Sequence, residues 1–168
     1  MAETLTEFLG KYFSHQAVVF LISLMPILEL RGGLIAAAIF KVPYLNALGI
    51  SVLGNMLPIP VIIIFIERIL VWMRGFGPLK GIGGWIEEKG MSQGAKLQKK
   101  YPNQLKLGLL LFVGIPLPGT GAWTGALIAS FLGLDLKNSA PYICLGVLLA
   151  AAIMSIITYG IPALAKML

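Results

Sequence analysis

Cysteine, histidine and acid are all scarce in this chain, and each scarcity removes a class of function. One cysteine, Cys144, allows no internal disulfide and, set in an apolar run, reads as a small packing residue. One histidine, His15, stands far upstream of the only G-x-S-x-G spelling, Gly90 to Gly94, and no strand precedes that serine, so no hydrolytic triad is expected. His15 itself reads as an interfacial residue at the mouth of the first apolar run rather than a proton relay. Gly119, Gly121 and Gly125 miss the dinucleotide-binding spacing by one residue and lack a βαβ context. The chain is therefore expected to be no enzyme, with no metal and no cofactor.

Charge is scarce as well. Charged residues make up 12% of the 168 and apolar ones 58%, proportions that point to an integral membrane protein of one compact domain. The opening MAETLTEFLGKYFSH has two acidic residues before its first lysine, unlike a signal peptide, and is expected to be a short interfacial helix. Residues 74–106 hold seven basic groups against Glu87 and Glu88, so +5 of the net +6 lies in one stretch. The positive-inside rule makes this stretch a cytoplasmic linker, with anionic headgroups as secondary partners. No aromatic interleaving accompanies the lysines, which argues against nucleic acid as a partner. Seven glycines between Gly75 and Gly94 speak against a rigid helix in this linker, although Leu79, Ile82 and Ile86 would lay one apolar face on the membrane.

What is abundant is apolar sequence, and its interruptions are informative. In IPLPGTGAWTGALIA, Ile115 to Ala129, Pro116, Pro118, Gly119 and Gly121 fall within six positions, and a continuous helix does not pass through such a run. The arms on either side, Leu105 to Ile115 and Ala122 to Leu134, are about 16 Å and 20 Å long as helices, against a hydrocarbon core of about 30 Å. Each arm reaches the midplane without crossing, which predicts a re-entrant hairpin. The run from Gln16 to Phe40 is broken in the same way by Pro26 and by Glu29-Leu30-Arg31-Gly32-Gly33, predicting a second hairpin. Tyr44 to Met73, kinked at Pro58 and Pro60, and Pro141 to Leu164 are each long enough to cross.

The expected fold is accordingly all-α and integral to the membrane, with two inverted repeats, each a re-entrant helical hairpin followed by a transmembrane helix. The first repeat is 1–73 and the second 107–168, with the basic linker 74–106 between. GLIAAAIF from Gly33 and GALIASFL from Gly125 are a weak internal echo of this. A hairpin does not change sides and a span does, so the second hairpin enters from the opposite face and the two tips meet. Inverted repeats with discontinuous helices at the midplane are characteristic of secondary transporters. Gly121, Gly125, Ala129 and Gly133 form a smooth stripe for close packing along the second returning arm.

Chemistry concentrates at the tips. Glu29 and Arg31 are ionisable groups placed at hydrocarbon depth, where each costs at least about 2.5–3.5 kcal/mol unless it faces a cavity or a partner. They are read as pairing with each other or across to the second tip, as an anion contact through Arg31, or as a proton carrier in Glu29. Thr120, Trp123 and Thr124 present a neutral, polar and aromatic wall opposite, with Trp123 able to stack on a cation or ring, or to pack on the other hairpin.

Pro26-x-x-Glu29-x-Arg31-Gly32-Gly33 together with Pro116-x-Pro118-Gly119-Thr120-Gly121-Ala122-Trp123-Thr124-Gly125 resembles the bacterial and archaeal small multidrug export protein family, and more distantly the DedA membrane proteins. The likeness covers nearly the whole chain. It implies two re-entrant hairpins with two spans, a place in a prokaryotic cytoplasmic membrane, and export as the activity that the family name asserts. DedA-like relatives imply proton-dependent translocation of carrier lipids such as undecaprenyl phosphate, with an acid in the first hairpin, matched by Glu29, and arginines in the second, matched by none here. The function expected is a proton-coupled secondary transporter of a small amphiphilic, drug-like or lipid-like substrate, working as a homodimer or larger assembly. A lipid scramblase or polyprenyl-phosphate flippase, and a structural membrane protein without transport, are the alternatives.

Overall fold

A computed structural model describes residues 13–165 of the chain. The interfacial helix expected at the start lies mostly outside them. Among the described residues all regular structure is helical: α1 His15–Leu24, α2 Glu29–Ile39, α3 Tyr44–Met56, α4 Pro58–Gly75, α5 Lys80–Lys100, α6 Leu105–Gly114, α7 Ala122–Phe131, α8 Leu136–Ser155 and α9 Ile161–Ala165. A 3-10 turn, Gly77–Leu79, precedes α5, and a π-helical turn, Ile156–Gly160, joins α8 to α9.

Both expected breaks are present. The chain leaves helix from Met25 to Leu28 around Pro26, and from Ile115 to Gly121 around the two prolines. In the second break Leu117 to Thr120 forms a turn closed by the Thr120 N–H on the Leu117 carbonyl at 3.2 Å, with Pro118 second and Gly119 third at φ +80°. This is the type II arrangement that proline followed by glycine favours. The flanking helices α1, α6 and α7 have ten residues each, about 15 Å. Two runs, Tyr44–Gly75 and Leu136–Ala165, are long and apolar enough to cross a membrane, and only 39% of the apolar window of each is buried, far less than in the core helix of a soluble protein. Pro58 and Pro60 fall in the first turn of α4, where a missing N–H is tolerated, so α3 and α4 follow one another through the single residue Leu57.

Three expectations are corrected. The glycine-rich basic stretch holds α5, a 21-residue helix. Propensity loses to packing here: Gly83, Gly90, Gly94 and Leu97 form the buried stripe. Gly90 lies against Phe131 and Leu127, and Gly94 against Leu132 and Ile128 of the neighbouring α7 region. The glycines let α5 come close, and of the three apolar residues read as a membrane-facing side Ile82 is 52% exposed while Leu79 and Ile86 pack partly buried against the core. The second long run starts at Leu136 rather than Pro141, because Asp135 turns the chain into helix and its carbonyl accepts from the N–H groups of Asn138 and Ser139. Pro141 then sits inside α8, one turn after the exposed Lys137 whose carbonyl it leaves free. Gly133 does not extend the small-residue stripe. It terminates α7 at φ +66°, with Leu134 N–H returning to the Ala129 carbonyl at 2.8 Å.

That same cap ends α2. Lys41 has φ +55°, and Val42 N–H reaches the Ala37 carbonyl at 2.9 Å. Lys41 and Gly133 stand as far apart in sequence as Gly33 and Gly125, so the weak echo in the sequence has a counterpart in the backbone.

α1 packs on α2 and α3, α6 on α8, α7 on α4, and α5 closes over α4, α6 and α7. The core lies where α2, α3, α7 and α8 meet, around Leu34, Ile128, Ile143 and Val147.

A docked α5 has a measurable consequence. Gly84, with open space where a side chain would go, tolerates Gly84→Ala with a gain of about 0.5–1 kcal/mol in helix stability, whereas Gly90→Ala collides with Phe131 and lowers the melting temperature. Thermal unfolding in detergent, followed by thiol labelling of the half-buried Cys144, separates the two.

Candidate functional site

Glu29 is the first residue of α2 and adopts φ +51°, a left-handed conformation that a non-glycine residue holds only under local strain. The strain places its carboxylate inside the protein, where the residue is 5% exposed. There the two carboxylate oxygens accept from the first free N–H groups of α7: Ala122 N–H at 3.2 Å and Trp123 N–H at 3.0 Å. A helix leaves its first N–H groups unpaired and carries positive partial charge at that end, so an ionised carboxylate is the complementary cap. It comes from the other tip, 93 residues away in sequence.

Arg31 does the converse. Its guanidinium donates to the Leu117 carbonyl at 2.7 Å, to the Ile115 carbonyl at 3.5 Å and to Thr120 Oγ1 at 3.0 Å. Ile115 and Leu117 follow the C-terminus of α6, where the dipole is negative, and their carbonyls take the guanidinium in addition to the N–H groups of Leu117 and Thr120. Thr120 Oγ1 also lies 2.8 Å and 3.0 Å from the same two carbonyls, so the hydroxyl ties the turn to itself. Among the described residues Glu29 and Arg31 form no ion pair with each other; each reaches across to the second tip.

Close approach sets the residue types. A Cβ on Gly121, at φ +140°, would collide with the Glu29 carboxylate, and one on Gly33 with the Ser23 side chain. One on Gly32 would press on Leu28 and one on Gly125 on Val113. Gly119, by contrast, has open space and is required only for its conformation.

Between the tips lies a cavity of about 160 Å³ lined by Pro26 to Glu29, Arg31, Lys89, Pro118 to Thr120, and Thr124. Of the residues expected at the site, Glu29, Arg31, Thr120 and Thr124 are brought together there. Trp123 is not among the lining residues; its ring is packed against the core, its backbone serves Glu29, and its indole N–H is buried without a partner.

Two site residues escaped the sequence reading. Lys89 reaches the cavity from α5 while its ammonium stands 4.8 Å from the Trp85 ring centroid. Its place was legible only in the spacing of Gly83, Gly90 and Gly94 beside it. Asn55, 3% exposed on α3, lines the packed space next to Glu29 and Arg31, and its carboxamide oxygen has no partner. The signal was a polar side chain in the middle of an apolar run.

A second groove, also about 160 Å³, joins α5 to α6 and opens at the tip: Lys96 and Lys100 lie along it, Leu97, Leu111 and Phe112 wall it, and Thr120 ends it.

The family described as "Putative small multi-drug export protein" matches residues 29–153, a stretch that begins at Glu29, just after the first break, and takes in the whole of the second. The chain belongs to that family. No curated protein and no solved structure matches it. Family membership and the two long apolar runs together make this export-family chain a membrane protein.

The clasp predicts an order of effects. Glu29→Gln keeps one acceptor but turns an amide NH₂ towards an N–H, costing about 1.5–3 kcal/mol for the lost charge-assisted bond. Gly121→Ala displaces the carboxylate and costs more than Gly119→Ala, which meets only conformational strain of about 1–2 kcal/mol. Melting curves of the three variants in one detergent check the ranking.

Proposed function

We propose that the chain is a proton-coupled secondary transporter in which Glu29 carries the proton and the two broken segments are re-entrant hairpins of inverted repeats, meeting near the bilayer midplane. The observation that carries this is the bidentate seating of a buried carboxylate on the N-terminus of the opposing helix, beside a cavity. Ionised, Glu29 holds α7 to α2. Protonated, it loses the charge that makes it a strong acceptor, so the clasp loosens as pH falls, and α7 is released to rock on the site. Arg31 keeps its grip on the α6 end through both states. The charged groups facing Glu29 are Arg31 from its own helix and Lys89 from α5.

Glu29 spends its charge on backbone N–H groups, so the cavity is left with Arg31 and Lys89, and the adjoining groove with Lys96 and Lys100. This lining supports a substrate with an anionic group and an apolar body, the lipid-like end of the expected range. The basic α5 lies on the cytoplasmic side of the inner membrane in this reading. Two spans enclose little alone, and the working unit is a homodimer or larger.

Proteoliposomes under an imposed pH gradient test it, with 1-anilinonaphthalene-8-sulfonate as anionic amphiphile and ethidium as cation. Gradient-driven flux of the anionic dye is expected to fall at least tenfold in Glu29→Gln and in Arg31→Ala. Intact flux in both variants, with only the melting temperature lowered, would leave the clasp a structural lock. Lipid movement without any gradient would make the protein a scramblase.

A further inference from the structure

Five buried side-chain polar atoms have no hydrogen-bond partner among the described residues, and four of them fall on one seam: Asn55 Oδ1, Ser51 Oγ, Ser155 Oγ and Tyr159 OH. The fifth, Trp123 Nε1, stands at the second tip. Buried polar atoms without partners are rare in folded proteins, and a file of them in an otherwise apolar interface calls for a physical reason.

The seam runs along α3 where it packs on α2 and α8, with Ser51 Oγ beside Gly33 of α2 and Ser23 of α1. Its direction is fixed at both ends. Tyr44, which opens α3, meets Tyr159, which follows α8, edge to face at 5.3 Å between ring centroids. Asn55, near the end of α3, shares its packed space with Val147 and Ala150 from the middle of α8. The two helices therefore run antiparallel, and Ser51 stands one turn from Asn55 on the same buried side, as Ser155 stands one turn from Tyr159. One end of the file touches the site, since Asn55 lines the same space as Glu29 and Arg31. The other reaches the surface at Tyr44, which is 40% exposed. Eleven residues of helix separate the ends, about 16 Å, or roughly half the hydrocarbon thickness.

We propose that this seam is a water-bridged proton path joining Glu29 to the membrane face at Tyr44 and Tyr159, separate from the tip cavity. It rests on Glu29 being the proton carrier. Serine and tyrosine hydroxyls each donate and accept, so with a water between successive groups they pass a proton by exchanging one hydrogen bond for the next. Successive positions four residues apart are about 6 Å apart along the helix axis, too far for direct bonding and within the span of one bridging water. Asn55 Oδ1, without a partner among the described residues, is an acceptor open to the neutral carboxyl: the space the two share is too tight for a water, so a protonated Glu29 donates to it directly. Ser155 immediately precedes the π-helical turn, a local widening of the helix that leaves backbone carbonyls able to hold water. No ionisable group other than Tyr44 and Tyr159 takes part beyond Glu29; Lys89 faces the carboxylate from the cavity, and Arg31 borders both the cavity and the packed space beside Asn55.

The test is gradient-driven proton entry, read by a lumenal pH dye, into proteoliposomes preloaded with 1-anilinonaphthalene-8-sulfonate. Asn55→Val, the double variant Ser51→Ala with Ser155→Ala, and Tyr159→Phe are each expected to slow Glu29-dependent proton entry at least fivefold. Their melting temperatures should be unchanged or higher, since each removes a buried polar atom that has no partner. Tyr159→Phe keeps the ring contact with Tyr44, so it remains informative if the inner variants fold poorly. Tyr142→Phe, elsewhere on α8, serves as the control and should match the unmodified protein. Wild-type proton entry in all the seam variants, with Glu29→Gln still inactive, overturns the path and leaves the carrier standing. Undiminished entry in Glu29→Gln overturns both.

Discussion

A helix that ends inside a membrane protein must have its unpaired backbone groups satisfied by something other than water, and here two side chains from one turn satisfy the ends of two helices. Glu29 takes the N–H groups that open α7, and Arg31 takes the carbonyls that follow α6. The charges match the helix dipoles in sign, so each ionic group has a partner of opposite partial charge without either pairing to the other. Remove the carboxylate and two donors are orphaned; remove the guanidinium and the second turn loses its outside anchor.

Space and strain follow from it. The carboxylate fits only because Gly121 presents bare backbone, and it points inward only because Glu29 accepts a left-handed conformation. A strained residue held by two hydrogen bonds is a natural place for two states of similar energy, since releasing the bonds also releases the strain. In the proposed transporter protonation is the change that does this, and it would connect the packing of two tips to a gating step.

The basic helix α5 changes the character of the site. Its buried glycines bring it against α7 closely enough for Lys89 to line the cavity between the tips. The second break contributes no cation of its own, and α5 supplies one from outside both breaks. The lysines that follow, Lys96 and Lys100, continue the positive lining along a groove with apolar walls. One run of lysines thus lines both the cavity and the groove.

Sequence alone determined where the chain breaks, because prolines and paired glycines forbid helix locally, and those positions at Pro26 and at Pro116 to Gly121 needed no partner to be read. It also determined that the two long runs are membrane-length, that Glu29 and Arg31 stand at the first turn, and the family to which the chain belongs. Tertiary structure decided the rest. Whether Glu29 pairs with Arg31 or reaches 93 residues ahead depends on which helix ends are brought close. A glycine-rich stretch becomes a helix only when another surface rewards its smoothness, so α5 was read as a linker. Asn55 and Lys89 are ordinary residues until packing sets them beside a carboxylate. Local backbone rules act within a few residues and are written in the chain; the pairing of buried charges is a property of distance in space, which the chain order does not record.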